Sequence, residues 1–121
     1  MDFCSMLCVP CSMINIDAKD KILGRLATEV STLIIGKNKP DFVPYKITGQ
    51  KVEVVNVDKI AVSGKKMDDK IYYTHTGYTG HLKKIPMKSI SKQELLKKAV
   101  WNMLPKNKLR KERMKLLTII L

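Results

Sequence analysis

The sequence predicts an α/β domain in which a helix connects two parallel strands. Residues 13–17 alternate apolar and polar side chains, as a half-buried strand does. Residues 22–34 repeat apolar side chains at helical spacing. Residues 52–57 are nearly all β-branched, which is typical of a strand covered on both faces. A strand–helix–strand order implies a parallel pair with a right-handed crossover.

The ends of the first helix are marked by residues that stop or start helices. Asp17 or Asp20 can cap its start, because a short side-chain oxygen accepts the first free N–H groups. Gly36 fits the left-handed position that ends many helices. Two prolines in residues 37–44 predict an irregular basic loop, and residues 60–62 can extend the second strand.

The second half of the chain predicts a hairpin followed by a helix. Residues 70–75 are β-prone, residues 76–81 contain two glycines and form a loop, and residues 82–88 can return as a strand. Ser91 and Glu94 match the capping box that starts a helix.

That second helix should end at Pro105, and a shorter third helix should begin at Asn107. Residues 118–121 are β-prone again. The length of 121 residues argues for one domain, which we place at residues 13–121. The apolar segment at residues 1–12 shows no helical or strand period, so we expect it to lie outside the core and to be either disordered or not translated at all.

The charge of the chain indicates a polyanionic partner. The net charge is +12, and it is concentrated in the second half: residues 1–64 carry a net +1 and residues 65–121 a net +11. So much like charge repels itself unless a polyanion neutralises it. The sequence contains no basic amphipathic helix with an aromatic apolar face, so a nucleic acid fits better than a membrane surface.

Two segments carry most of the candidate binding chemistry. In residues 75–84, two glycines allow close backbone approach to a phosphate or sugar, and Tyr78 offers a stacking face. A glycine-rich turn with solvated lysines is the alternative. Residues 105–115 form a basic run with one acid, Glu112, and either contact phosphates or form a solvated face.

Three further positions have a structural and a binding interpretation. Lys37 and Lys39 follow a predicted helix end, where they either complement the helix dipole or contact RNA. Gly24 lies inside a helix, where glycine costs about 1 kcal/mol relative to Ala. It allows either close packing of another element or, beside Arg25, approach of a phosphate.

Enzymatic chemistry finds little support in the sequence. Cys4, Cys8 and Cys11 have a spacing that can ligate an iron–sulfur cluster, but the enzymes that use it need a much larger barrel. His75 and His81 have no evident nucleophile or carboxylate partner. We therefore expect no enzyme, no metal site and no cofactor.

Several blocks of the sequence resemble one protein family. The blocks LGRLA at residues 23–27, YTHTGYTG at residues 73–80 and MLPKNKL at residues 103–109 occur in the order of the bacterial-type large-subunit ribosomal protein thirteen family. The resemblance runs from about residue 14 to residue 117. It implies a three-layer α/β/α domain around a small, largely parallel sheet of about four strands, with a basic loop and a C-terminal helical extension.

The resemblance also implies an early-assembling protein whose partners are large-subunit ribosomal RNA and neighbouring large-subunit proteins, with no membrane and no small-molecule substrate. Its ribosome would be that of the bacterial cytoplasm or of an organelle. Carried over position by position, the RNA-binding residues would be Arg25, Lys37, Lys39, Tyr73, His75, Thr76, Gly77, Tyr78, Gly80, Lys83, Lys106, Asn107, Lys108 and Arg110.

The chain also departs from the family pattern. His81 stands where the family has a further glycine, Ser12 and Met13 replace an aromatic pair, and the family's C-terminal tail is missing after Leu121. A free-standing RNA-binding regulator, which would use the same basic surface, is the alternative function.

Overall fold

Five strands and four helices form the part of the chain that this computed structural model describes, residues 13–120. The segment at residues 1–12, with its three cysteines, lies outside the described residues. In chain order the elements are β1 (Ile14–Asp17), α1 (Leu23–Ile35), β2 (Val52–Val55), α2 (Lys66–Asp69), β3 (Ile71–His75), β4 (Leu82–Pro86), α3 (Lys92–Met103), α4 (Arg110–Met114) and β5 (Leu117–Ile119).

The strands β1, β2 and β5 form a parallel sheet with β2 in the centre, which confirms the α/β class and the largely parallel sheet. Three strands form it in the described residues, where about four were expected. The register places like side chains side by side: Asn15, Glu53 and Thr118 share the polar face. The apolar face carries Ile14, Ile16, Val52, Val54, Leu117 and Ile119.

The helices α1 and α3 pack with the apolar face into one core. Leu26 and Val30 of α1 and Leu96 and Val100 of α3 are fully buried beside Val54. Each such side chain contributes about 1.5–3 kcal/mol by leaving water. The apolar spacing that predicted both helices is therefore the spacing that holds them together.

The start of α1 differs from the prediction. Ile22 occupies the N-cap position and gives no side-chain cap. The carbonyl of Ala61 instead accepts a 3.0 Å hydrogen bond from the N–H of Leu23. Both predicted caps, Asp17 and Asp20, are wrong because β1 runs to Asp17 and the chain must turn, with a φ of +58° at Asp20, before the helix begins.

A close backbone contact secures the end of α1. Gly36 ends the helix in the predicted left-handed conformation, with a φ of +85°. A Cβ added to Gly49 would lie 1.8 Å from the carbonyl oxygen of Ile34, so only glycine fits there. Gly49 was not predicted to be special, because nothing in the local sequence distinguishes a glycine that another element approaches from one in an ordinary loop.

Two other boundaries differ from the sequence predictions. The strand β2 ends at Val55, because Asn56 adopts a left-handed conformation and a short 3₁₀ turn follows at Val57–Lys59. Residues 60–62 do not extend the strand, although Ala61 forms an isolated parallel bridge with Ile22.

The elements of the second half follow the prediction closely. The strands β3 and β4 pair antiparallel as the expected hairpin. Ser91 caps α3 by accepting a 3.4 Å hydrogen bond from the N–H of Glu94. The helix α4 begins at Arg110 rather than Asn107, since a turn occupies residues 105–109, and the four-residue helix α2 was not predicted.

Candidate nucleic-acid interface

The hairpin of β3 and β4 projects from the domain. Every residue from 73 to 84 is exposed, and Tyr73 and Tyr78 are 61% and 76% exposed. In the register, Tyr73 lies opposite Lys84 and Thr74 opposite Lys83. The hairpin thus presents aromatic rings and ammonium groups to the same solvent region.

The loop at the tip of the hairpin is held by its own hydrogen bonds. The Nδ1 of His75 accepts a 2.9 Å bond from the N–H of Gly77, and the N–H of His81 donates to the carbonyl of Tyr78 at 3.2 Å. Gly77 and Gly80 have φ values of +97° and +79°, and a Cβ on either would meet nothing within 4 Å. Backbone conformation, not packing inside the chain, therefore favours glycine at both positions.

The base of the hairpin is anchored to the domain by an apolar cluster. Tyr72 and Ile85 pack against Met87 and Leu95. The hairpin therefore has an exposed tip, and its other end packs against the domain.

The segment that follows α3 is basic and exposed. Lys106, Asn107 and Lys108 are exposed. Arg110 is half-buried: its Nε donates a 2.9 Å bond to the carbonyl of Trp101, Nη2 donates to the same oxygen, and its guanidinium lies 4.2 Å from the centre of the Trp101 ring. Part of the Arg110 guanidinium therefore already contacts Trp101. Lys106 and Lys108, in contrast, are exposed to solvent.

One cation of this segment belongs to the core. Arg113 is 1% exposed, and its Nη2 donates to the carbonyls of Pro44 and Lys46 at 3.0 and 3.4 Å. The interpretation of residues 105–115 as one phosphate-contacting run therefore does not extend to Arg113. Its side chain joins α4 to the loop that follows α1.

Four adjoining clefts connect the hairpin base with this segment, and we call them the basic clefts. The first and second share Tyr72 and Asn102, the second and third share Trp101, and the third and fourth share Asn107. Every charged side chain that lines them is basic: Lys66, Lys70, Lys97, Lys98, Lys106, Lys108, Arg110, Lys111, Lys37 and Arg113. Low-dielectric walls of one charge sign raise the local positive potential.

The two lysines that follow α1, Lys37 and Lys39, differ in their placement. Lys37 is exposed and lines the fourth cleft together with Asn107. Lys39 is half-buried, and its N–H donates to the carbonyl of Gly36. The structure thus places Lys37, but not Lys39, beside the C-terminal basic segment.

Arg25 lies apart from the basic clefts. It lines an open groove between β1 and α1 together with Asp17 and Glu29, so its surroundings contain both charge signs. A hydrogen bond from the N–H of Lys19, aided by one from the side chain of Asn56, holds the pKa of Asp17 below its ordinary value of 3.8. Gly24 is exposed, and a Cβ added to it would meet nothing within 4 Å, so packing inside the chain does not explain it.

Sequence reasoning missed two aromatic residues of the basic clefts. Tyr72 and Trp101 each line two of them, and neither was in the predicted site. A tryptophan followed by a run of lysines was the available signal, since aromatic and basic side chains together are typical of RNA-binding surfaces.

The described residues contain no group of three or more His, Cys, Asp or Glu side chains that could hold a metal ion. The cysteine cluster lies outside them. No described helix combines the length and apolar character needed to cross a membrane.

The chain is similar to ribosomal proteins along nearly its whole length. The family described as ribosomal protein L13 matches residues 12–120. Large ribosomal subunit protein uL13 of Geobacter sp. (strain M21) is 51% identical over 107 residues, which cover 86% of this chain and 75% of the relative. The protein of the same name from Clostridioides difficile (strain 630) is 50% identical over 102 residues, or 82% of this chain and 71% of the relative. These matches confirm the predicted resemblance and the prediction that the chain is not an enzyme.

Proposed function

Because the chain belongs to the ribosomal protein L13 family, we propose that it is a structural constituent of the large ribosomal subunit that binds large-subunit ribosomal RNA. The observation that carries RNA binding is the series of basic clefts, in which no lining side chain is acidic. Neutralising phosphates there releases counterions from the RNA, which favours binding.

The hairpin supplies a second contact region in this proposal. Its exposed aromatic rings can stack on bases, and its positive-φ glycines leave the backbone open to a phosphate or sugar. The residues we assign to RNA remain Arg25, Lys37, Lys39, Tyr73, His75, Thr76, Gly77, Tyr78, Gly80, Lys83, Lys106, Asn107, Lys108 and Arg110. Lys39 and Arg25 have the weakest support, since one is half-buried and the other lies beside two carboxylates.

The remaining parts of the proposal concern partners and organisation. Neighbouring large-subunit proteins and a role early in subunit assembly follow from the family, and the bacterial relatives favour a bacterial ribosome over an organellar one. We propose that residues 13–121 are the functional domain and that residues 1–12 are not needed for it. The family match, which begins at residue 12, supports this division.

The test is the presence of the protein in ribosomes. Large subunits purified from the source cells at physiological salt should contain one copy of the chain per subunit by quantitative mass spectrometry. Absence from the subunits, together with tight binding of a different RNA, would overturn this proposal and establish the free-standing regulator.

A further inference from the structure

Trp101 lies between two of the basic clefts. One of them, about 260 Å³ in volume, is an open cleft that is lined, besides Trp101, by Tyr72 of β3, by Lys97, Lys98 and Asn102 of α3 and by Met114 of α4. The other is lined by Arg110 and the lysines that follow α3. Of these two clefts, Arg110 lines only the second and Tyr72 only the smaller one, whereas Trp101 lines both.

Contacts with Arg110 hold the indole of Trp101 in a position that allows stacking. The Arg110 guanidinium lies 4.2 Å from the centre of the ring, and its bonds to the Trp101 carbonyl fix this arrangement. A cation on one side of an aromatic ring leaves the other side free for a second flat partner. Trp101 also lines the smaller cleft, together with Tyr72.

The surroundings of the smaller cleft favour an RNA base over an apolar peptide side chain. The ammonium groups of Lys98 and Lys70 lie 5.0 and 5.1 Å from the centre of the Tyr72 ring, and Lys97 also lines the cleft. A base that enters the cleft brings a phosphate to these lysines, whereas a peptide side chain would leave their charges unmatched. Aromatic rings beside a basic groove are the general means of binding unpaired nucleotides.

We propose that Trp101 stacks on one unpaired RNA base in the smaller cleft, with Lys97 and Lys98 contacting its phosphates. This inference rests on the proposed RNA binding and specifies its class: an unpaired nucleotide, not the continuous duplex. A duplex keeps its bases stacked inside the helix, so it meets the lysines without filling the cleft.

The only tryptophan of the chain makes the test direct. Single-stranded oligoadenylate of about eight nucleotides should quench Trp101 fluorescence on binding. An abasic oligonucleotide of the same length has the same phosphates, so it should bind about 5- to 150-fold more weakly and leave the emission unchanged. Equal quenching by both, or no quenching by oligoadenylate that demonstrably binds, would overturn the inference.

Variants separate this inference from the proposed function. Trp101→Ala should lose most of the preference for oligoadenylate over the abasic strand, and Trp101→Phe should keep much of it. Tyr45→Ala is the matched control, because Tyr45 is an exposed ring with Lys46 at 5.9 Å and lines none of the basic clefts. If Trp101→Ala binds both strands as the wild type does, the base site is wrong while RNA binding stands. If the wild-type chain binds no ribosomal RNA fragment, the proposed function fails.

Discussion

The guanidinium of Arg113 donates a 3.0 Å hydrogen bond to the carbonyl of Pro44. Although it lies in the most basic part of the chain, Arg113 is therefore a buried residue of the interior. The same nitrogen reaches the carbonyl of Lys46. Both carbonyls belong to the irregular loop between α1 and β2, which has few backbone–backbone hydrogen bonds within itself. Arg113 thus fixes that loop from a distant part of the sequence.

Arg113→Ala should therefore reduce the free energy of unfolding by about 2–4 kcal/mol, because the carbonyls of Pro44 and Lys46 lose a charged donor and removal of a buried side chain leaves a cavity. Lys111→Ala, on the same short helix but exposed, should change it by less than about 0.5 kcal/mol. Urea unfolding of both variants measures the difference. A stable Arg113→Ala variant with weakened RNA binding would instead make Arg113 an RNA contact.

Two glycines on or near α1 should respond to alanine in opposite directions. Gly49→Ala should destabilise the domain by about 3 kcal/mol or more, since its methyl group would overlap the Ile34 carbonyl. Gly24→Ala should stabilise it by about 1 kcal/mol, because the position is helical and open. Thermal melts of both variants show whether each substitution raises or lowers the stability of the domain. If the Gly24 variant is more stable but binds RNA less well, a phosphate approaches its backbone.

Gly77→Val or Gly80→Val should weaken RNA binding while the domain stays folded. The strain of a left-handed valine, about 1–2 kcal/mol, falls on an exposed loop tip with no core contacts. Gly64→Val is the matched control, as Gly64 also has positive φ and open space but lies outside the hairpin. RNA titrations and thermal melts of the variants test this prediction. A hairpin variant that melts at a much lower temperature yet binds RNA normally would make these glycines structural only.

Binding to ribosomal RNA should depend steeply on salt. With about six phosphate contacts, raising monovalent salt from about 50 to about 200 mM should weaken binding by about 300- to 2,000-fold. Lys97→Ala and Lys106→Ala should each lower the slope of the logarithmic plot by about one, whereas Lys51→Ala, exposed and outside the basic clefts, should leave it unchanged. A nearly flat plot for the wild type would contradict the electrostatic account.

Removal of residues 1–12 should leave the unfolding free energy and RNA affinity unchanged, as should joint replacement of Cys4, Cys8 and Cys11 by Ser. The family match begins only at residue 12, and these residues add no positive charge. Loss of RNA binding in the triple variant, or stoichiometric iron or zinc in the purified protein, would show that the cysteines form a metal site.

The sequence predicted those features that depend on neighbours along the chain. The apolar stripe of α1, its end at Gly36 and the cap at Ser91 are local patterns, and the structure contains all three. The burial of Arg113 and the contact of Gly49 depend on segments far away in the sequence, so no local pattern indicated them. The contact of Arg110 with Trp101 was not predicted either, because nine positions and a turn separate the two along the chain.

The central position of β2 has a consequence for synthesis of the chain. One of its edges pairs with β1, which is made early, but the other pairs with β5, which is made among the last residues described. While the chain is still growing, β2 exposes an unpaired edge that can recruit strands from other molecules. The finished sheet can form only after Ile119 has left the translating ribosome, so β2 keeps this edge unpaired while most of residues 13–120 are being made.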